Sequence, residues 1–319
     1  MSEPLAFLNG NLVPQSKVHL ALNDAGFVFG ATITDLCRTF RHRLYRWGDH
    51  LARFRRSSES AYFQLPLDDK TITQRADELV AHNAALIDAN DDLALVLFAT
   101  PGPIGYYLGN FPPPDPKSAN SERKRGDDPG ADHEPSTFGM HTFPLPFARY
   151  RPWIKDGVIL ATPSVRAMPA VCVDPHIKQR SRMHWWLAQQ EVSRTHPGAQ
   201  ALLLDLDGNV TETASSNFLL VKDSALVSPQ RDGILDGISL GVVTELAAKL
   251  GIPMRFRQIG LDECYAAEQA ILTCTSYCIA GVRQINDRAI PWPGPMLQRL
   301  AEAWSAAVGV EIHRQILTA

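Results

Sequence analysis

The segment 112–137 sets the strongest limit on how this chain folds. Its sequence, PPPDPKSANSERKRGDDPGADHEPST, is dominated by Pro, Ser, Gly and charged residues and has almost no apolar side chains. Such a composition cannot bury enough surface to offset the entropy lost on ordering. We therefore predict a flexible linker or insert here. It divides the 319-residue chain into a small N-terminal domain, 1–111, and a larger C-terminal domain, 138–319.

Strand and helix patterns are mixed along both predicted domains. In the first domain, strands are predicted at 5–8 and 12–13 around an Asn9-Gly10 turn, at 31–40, 44–47 and 93–100, with helices from 49 and over 71–86. In the second, strands are predicted over 158–162, 216–221, 225–229 and 270–276, and the segment 200–210 carries an Asp-Gly turn; helices are predicted over 178–195, 238–250 and, last, 295–308. No regular βαβ alternation appears, so we predict an α+β fold.

Composition and charge exclude several classes of protein. The net charge is −3, and the densest basic run, at 53–56, is only four residues long, so we expect no nucleic-acid partner. No apolar stretch approaches the ~20 residues that cross a bilayer, and the first residues lack a secretory leader. Five scattered cysteines show no metal-ligand spacing. We expect a cytoplasmic protein without a metal or a membrane partner.

Lys178 is distinctive among the eight lysines of the chain. It lies in DPHIKQRSRMHWWLAQQE, with Ile177 before it and Trp185, Trp186 and Leu187 after it. Apolar surroundings lower the pKa of a lysine and make its amine a candidate nucleophile. The alternative is a solvated lysine at the start of a helix.

Two further segments carry groups that suit a small charged ligand. In VTETASSNFLLV, Glu212 precedes a run of small polar residues, as expected for a carboxylate directed at a ligand or, alternatively, for an edge strand and turn. Gly237-Ile238-Ser239 precedes a predicted helix, whose free N–H groups form a natural phosphate site, although Ser239 could be a plain cap.

The same phosphate could gain two more partners. Thr273, Thr275 and Ser276 form a hydroxyl-rich turn after a predicted strand, and Arg53 offers a charge-assisted hydrogen bond. Together the segments require an aldehyde for the lysine, a protonated ring nitrogen for Glu212 and a phosphate. Pyridoxal 5'-phosphate has all three, and its protonated ring acts as an electron sink.

These segments resemble the class IV (fold-type IV) pyridoxal-phosphate aminotransferases, a group that includes branched-chain aminotransferases, D-amino acid aminotransferases and aminodeoxychorismate lyase. The similarity runs from about residue 5 to 290 outside the insert. It rests on NDAGFVFGATITDLCRTF, His50–Phe54, the Lys178 segment, VTETASSNFLLV, GILDGIS and LTCTS, which occur in the order typical of the family.

The resemblance implies a role for each matching position. Lys178 would be the catalytic lysine that forms the Schiff base and moves the proton, and Glu212 would face the pyridine nitrogen. The phosphate would be bound by Arg53, Ile238, Ser239 and Thr275. The implied fold is a small α+β domain and a larger β-barrel-like domain with the cofactor between them, in a homodimer.

The segments that would contact the substrate differ from those of the branched-chain aminotransferases. Met183 stands where a tyrosine is usual, Thr34 replaces an aromatic residue, Asp35 replaces a glutamate, and strand 93–100 lacks an arginine. We predict substrate contacts at Phe29, Thr34, Arg38 and Ser276.

The leading hypothesis is a transaminase that moves an amino group between an amino acid, with branched-chain-like donors favoured, and a 2-oxoacid. A lyase of the aminodeoxychorismate type and a D-amino acid or amine transaminase are alternatives. A non-catalytic protein that kept the fold is a third possibility, against which the Lys178–Glu212 pair argues, since binding alone needs no electron sink.

Overall fold

The computed structural model describes residues 3–108 and 136–319, whose strands form two sheets. Most of the predicted insert, 112–135, lies outside the described residues. None of the described helices is both long and apolar enough to cross a membrane.

The first sheet has six antiparallel strands in the order β2-β1-β6-β5-β3-β4. These strands are β1 (Leu5–Leu8), β2 (Asn11–Pro14), β3 (Ile33–Phe40), β4 (Arg43–Leu44), β5 (Leu93–Thr100) and β6 (Thr137–Pro144). Strand β6 follows the predicted insert and yet lies between β1 and β5. The chain therefore passes from the first sheet to the second between Pro144 and Val158, and the division at 112–137 stays a prediction.

Alternation along β5 explains how the first sheet is covered on both faces. The side chains of Leu93, Leu95, Leu97 and Ala99 pack in one apolar cluster with α2 (Trp47–Ser60) and α3 (Asp69–Ala84). Ala94 faces the opposite way and joins the core of the second sheet. A strand buried on both faces is expected to be apolar throughout, as LALVLFAT is.

The second sheet closes on itself. Its strands are β7 (Val158–Ala161), β8 (Gln200–Leu204), β9 (Val210–Thr213), β10 (Asn217–Lys222), β11 (Ala225–Ser228), β12 (Met254–Phe256), β13 (Gln269–Cys274), β14 (Cys278–Ile285) and β15 (Arg288–Ala289). The order β10-β13-β14-β7-β8-β9 returns to β10 through the pair Asn217–Glu212. This six-strand ring confirms the predicted α+β fold with a barrel-like second part.

Helices surround both sheets. Besides α2 and α3, the described helices are α1 (Ala25–Val28), α4 (Phe147–Asp156), α5 (Met183–Thr195), α6 (Ile238–Lys249), α7 (Leu261–Tyr265), α8 (Pro295–Val308) and α9 (Ile312–Thr318). Helices α6 and α8 cover one side of the barrel through an apolar cluster that includes Leu246 and Trp304.

Three local predictions were wrong. The helix predicted from 178 begins at Met183, because the backbone at 178–180 pairs with β3 instead: Thr34 N–H donates to Lys178 O and Arg180 N–H to Thr32 O, each at 2.8 Å. The strand predicted at 44–47 ends at Leu44, since α2 begins at Trp47. Helix α8 is followed by α9, so it is not the last helix.

Candidate active site

One cleft brings together the six residues predicted to hold the cofactor. Its lining includes Lys178, Arg53, Glu212, Ile238, Ser239 and Thr275. The empty space, counted out to the solvent, is about 970 Å³.

The backbone of Lys178 is fixed from both sides. Its carbonyl oxygen accepts from Thr34 in β3, and its N–H donates to Ser57 Oγ of α2 at 3.2 Å. Ser57 is buried. The extended segment at 178–180 therefore attaches to the first sheet and to α2, while Lys178 itself lines the cleft.

The amine of Lys178 is made more nucleophilic by its surroundings. Burial and the nearby guanidinium of Arg53 lower the pKa of Lys178 from 10.5 to about 8, and the Arg182 charge adds to this. The carboxylates of Asp35 and Glu212 oppose the shift. At neutral pH a larger share of this amine is uncharged than in a solvated lysine.

Glu212 is an acid enclosed at the edge of the barrel. It lies in β9 opposite Asn217 of β10, whose Nδ2 donates to Glu212 Oε2 at 3.0 Å and to Leu235 O at 2.9 Å. Burial raises the pKa of Glu212 to about 7, against the influence of the Leu235 N–H, Lys178, Arg182 and Arg53. Within 3–108 and 136–319 no cation lies within ion-pair distance of Glu212, so a protonated ligand nitrogen would stabilise its charged form.

The start of α6 provides a site for an anion. Gly237 precedes the helix and has no side chain to cap it, and no side chain among residues 3–108 and 136–319 caps the first N–H groups of the helix, from Ile238 onward. A Cβ on Gly237 would collide with Asn217 Oδ1. Ser239 is buried beside these N–H groups, and Thr275, in the turn between β13 and β14, completes this part of the lining.

A buried carboxylate orients Arg53. Asp35 Oδ2 accepts from Arg53 Nε and Asp35 Oδ1 from Arg53 Nη2, each at 2.8 Å, and His50 Nδ1 lies 2.8 Å from Oδ1. Arg53 Nη1 also donates to the Asp236 carbonyl at 3.0 Å, just before α6. This bidentate pair fixes the guanidinium plane at the cleft wall. Although burial opposes the shift, Arg53 and His50 hold the pKa of Asp35 far below its usual value.

We predict that Asp35→Asn destabilises the protein by about 3–5 kcal/mol, because it leaves the Arg53 charge buried and unpaired. Because the pKa of Asp35 is lower in the folded protein, its carboxylate contributes stability at pH values above the unfolded-state pKa of about 4. The contribution declines as the pH falls through the folded pKa, so the gap between wild type and variant should narrow in acid. Urea unfolding at two pH values measures this. The exposed Arg55–Asp69 pair is the control, and Asp69→Asn should cost less than about 1 kcal/mol; equal costs would contradict the account.

The structure does not bring the four predicted substrate residues, Phe29, Thr34, Arg38 and Ser276, into the described lining of this cleft. Thr34 Oγ1 donates to Leu97 O at 2.8 Å inside the first sheet, and Phe29 is exposed against Tyr107, with ring centroids 6.4 Å apart.

Arg38 lies inside the protein, where its guanidinium bonds to protein acceptors. It is 1% exposed, and its guanidinium donates to Thr39 O, Ser276 O, Cys278 Sγ, Asp92 and Gln315. These contacts use its donors inside the protein and join the first sheet to α9 and to the β13–β14 turn. Ser276 accepts one of these bonds through its carbonyl oxygen.

Sequence reasoning missed several residues that shape the cleft. Asp35, Ser57 and Asn217 hold Arg53, the Lys178 backbone and Glu212, respectively, and Arg182 lines the wall. Asn217 had a signal, since it lies five residues after Glu212 across a turn. Ser57 had none, because its contact joins positions 121 residues apart.

The chain belongs to the amino-transferase class IV family, whose model matches residues 32–285. This range holds the six cofactor-site residues named above and most of both sheets.

Curated relatives carry two kinds of name. A probable branched-chain-amino-acid aminotransferase of Thermotoga maritima is 34% identical over 154 residues, 47% of this chain and 55% of that protein. A putative branched-chain-amino-acid aminotransferase of Methanocaldococcus jannaschii is 27% identical over 89% of this chain and 88% of its own. A D-alanine aminotransferase of Staphylococcus aureus is 26% identical over 93% and 95%.

Solved structures agree on the fold. The branched-chain amino acid aminotransferase of Escherichia coli superimposes with a TM-score of 0.82 at 18% identity, covering 96% of this chain and 94% of that one. The branched-chain amino acid aminotransferase of T.th. with pyridoxamine 5'-phosphate gives 0.78 at 20% identity over 97% and 95%. At such identities the likeness establishes the fold.

Proposed function

We propose that this chain is a pyridoxal-phosphate-dependent aminotransferase that moves an amino group between an amino acid and a 2-oxoacid, with branched-chain-like donors favoured. The observation that carries the proposal is one cleft in which a lysine of lowered pKa, an enclosed acid of raised pKa and a helix-start anion site occur together. Membership of the class IV family supports it.

The residues present fit the cofactor. Lys178 would hold it through Nζ, Glu212 would face its ring nitrogen, and its phosphate would lie against Arg53, Ser239, Thr275 and the Ile238 N–H. Among the described residues, the first N–H groups of α6 have no side-chain cap and Glu212 has no ion-pair partner, and such a ligand provides both. When bound, pyridoxal phosphate supplies an electron sink for the charge that develops at Cα of the amino acid.

The protein's own groups would then move and hold protons. Lys178 Nζ, displaced by the incoming amine, would take the proton from the substrate Cα as a base and return it as an acid. Glu212, oriented by Asn217 and the Leu235 N–H, would keep a proton at the ring nitrogen. Asp35 would act through Arg53 by fixing its orientation towards the phosphate.

We predict that Gly237→Ala weakens cofactor binding about 10-fold or more. The new methyl group meets Asn217 Oδ1, in the amide group that orients Glu212, and displaces the start of α6. Gly241→Ala, one turn later with open space around its Cα, is the matched control and should leave affinity unchanged. Titration of apoenzyme with pyridoxal phosphate gives both values; equal affinities for the two variants would contradict the assigned site.

We predict that attachment of the cofactor to apoenzyme depends on pH through Lys178. The neutral amine is the nucleophile, so the rate should rise about tenfold per pH unit below the pKa of about 8 and level off above it. Stopped-flow absorption over a pH range of about 6 to 10 brackets this pKa and ends just below the ordinary lysine pKa of about 10.4. A rise that continues to the upper end of that range would show that Lys178 titrates like a solvated lysine.

A half-reaction assay decides between the candidate activities. Incubated with single amino donors, a transaminase leaves the cofactor as pyridoxamine phosphate and releases a 2-oxoacid, whereas a lyase of the aminodeoxychorismate type releases pyruvate from its substrate. Because one relative is named a D-alanine aminotransferase, the panel should hold L- and D-amino acids and simple amines. No conversion with any donor would contradict the proposal.

We also propose a homodimer in the cytoplasm, with the division into domains 1–111 and 138–319. Large exposed apolar side chains support the dimer: Leu22, Phe27 and Phe29 in the first part of the chain and Met183, Trp186 and Leu187 in α5. Sedimentation should give twice the chain mass, and a monomer would exclude it.

A further inference from the structure

Arg182 is a cation in the cleft wall that uses few of its donors among the described residues. Across 3–108 and 136–319, its guanidinium makes one hydrogen bond, from Nη2 to the Ala214 carbonyl, and no carboxylate lies within ion-pair distance. A guanidinium has five N–H donors. Most of the hydrogen-bonding capacity of Arg182 is therefore unused in a cleft that receives a ligand.

Two buried arginines with structural roles contrast with it. The guanidinium of Arg38 donates hydrogen bonds to acceptors within the protein, and Arg53 forms a bidentate pair with Asp35. Both are almost fully buried. Both of these arginines have their acceptors within the protein, whereas Arg182 lines the cleft with most of its donors unused among the described residues.

Helix stability does not account for Arg182. It occupies the position just before α5 and makes no capping hydrogen bond there. A positive charge at the start of a helix opposes the helix dipole, and Ser, Thr, Asp or Asn are preferred at this position. The guanidinium lies over Trp185, with 5.8 Å from Cζ to the ring centroid, and this contact steadies it beside the cleft.

Its charge reaches the reacting groups. Arg182 lines the same cleft as Lys178 and Glu212, and its guanidinium lowers the pKa of both. Burial lowers the pKa of Arg182 itself, a cost that an anionic partner would offset. The phosphate has its own partners at α6 and Arg53, which leaves the substrate as the source of the anion.

We propose that Arg182 is a specificity-determining residue that binds a carboxylate of the substrate. A guanidinium binds a carboxylate through two parallel N–H bonds, which orients it as well as attracting it. The inference rests on the proposed aminotransferase function. The carboxylate is either the one on Cα or one at the end of the side chain; in both cases Arg182 favours amino acids over amines that lack the group.

The first test measures binding without turnover. Calorimetry on holoenzyme with pentanoate, a simple monocarboxylate, should give a Kd about 10- to 100-fold weaker in Arg182→Gln than in wild type. Arg182→Lys keeps the charge but loses the planar guanidinium that donates two parallel hydrogen bonds, so its Kd should lie between those of wild type and Arg182→Gln. Arg180→Gln removes the same charge from an exposed position outside the described lining and should stay within about twofold of wild type.

Two outcomes of this experiment would overturn the inference. One is an Arg182→Gln affinity equal to that of wild type, including the case in which only the cofactor absorption changes, because the guanidinium would then serve the cofactor. The other is an equal loss of pentanoate affinity in Arg180→Gln. That result would show that positive charge near the cleft acts at long range and that Arg182 makes no direct contact with the carboxylate.

The second test separates the two carboxylates and also the inference from the function. If Arg182 binds the Cα carboxylate, Arg182→Gln raises KM for valine about tenfold or more and leaves isobutylamine unchanged. If it binds a side-chain carboxylate, KM rises for glutamate and not for glutamine. Carboxylate binding that depends on Arg182 in an enzyme without transamination would refute the proposed function alone, and unaltered KM values for all four donors would refute the inference alone.

Discussion

Lys178→Ala should lower kcat for the first half-reaction by about 10³-fold or more, because it removes both the attachment point of the cofactor and the base that moves the Cα proton. The visible absorption of the lysine-bound cofactor should disappear in the same variant. Rapid-scan spectroscopy with an amino donor measures both effects. The reason is local: Lys178 lines the cleft while its backbone is fixed by Thr34 and Ser57, and no other lysine is part of the described lining.

Lys249→Ala, which changes an exposed lysine at the end of α6, is the matched control and should behave as wild type. Added methylamine, a small external base, should restore part of the Lys178→Ala rate. A Lys178→Ala enzyme that keeps most of its activity would remove Lys178 from the mechanism.

Glu212→Gln should lower kcat by about 10²–10³-fold while the cofactor stays bound. The amide keeps the shape and the hydrogen bonds with Asn217 and Leu235, but it cannot hold a proton at the ring nitrogen by charge. The cofactor ring then accepts electrons less well, whereas the binding of the cofactor phosphate is unchanged. Steady-state rates and cofactor titration of the same preparation separate the two effects.

Glu302→Gln, an exposed acid in α8, is the control for this change. Loss of the cofactor along with activity in Glu212→Gln would indicate a structural role for Glu212. Unchanged kcat would contradict its place at the ring nitrogen.

Local patterns predicted most elements because each depends on neighbouring residues. LALVLFAT is a strand at 93–100 as predicted, and α6 ends at Lys249, just before Gly251, which adopts a φ of +67°. The closure of the barrel and the place of β6 in the first sheet depend on hydrogen bonds between distant residues. Periodicity carries no information about such pairing.

The cofactor site was predicted better than the substrate site. The chemistry that points to a cofactor is visible in the local sequence around Lys178, Glu212 and the start of α6. The structure brings these three to one cleft. For Arg38 the sequence shows a charge without its partners, and in the structure its guanidinium donates to Asp92 and Gln315. Arg182 was passed over for the same reason: only the structure shows that its charge has no carboxylate partner among the described residues.

The most direct measurement of the central claim is the site of covalent attachment. The protein is incubated with pyridoxal phosphate, reduced with borohydride, digested and mapped by mass spectrometry. We expect one modified peptide, with the phosphopyridoxyl mass on Lys178, and a clearly smaller yield of it when the first step uses Gly237→Ala at a cofactor concentration that just saturates wild type. Modification spread over the surface lysines, with Lys178 unmodified, would contradict the account.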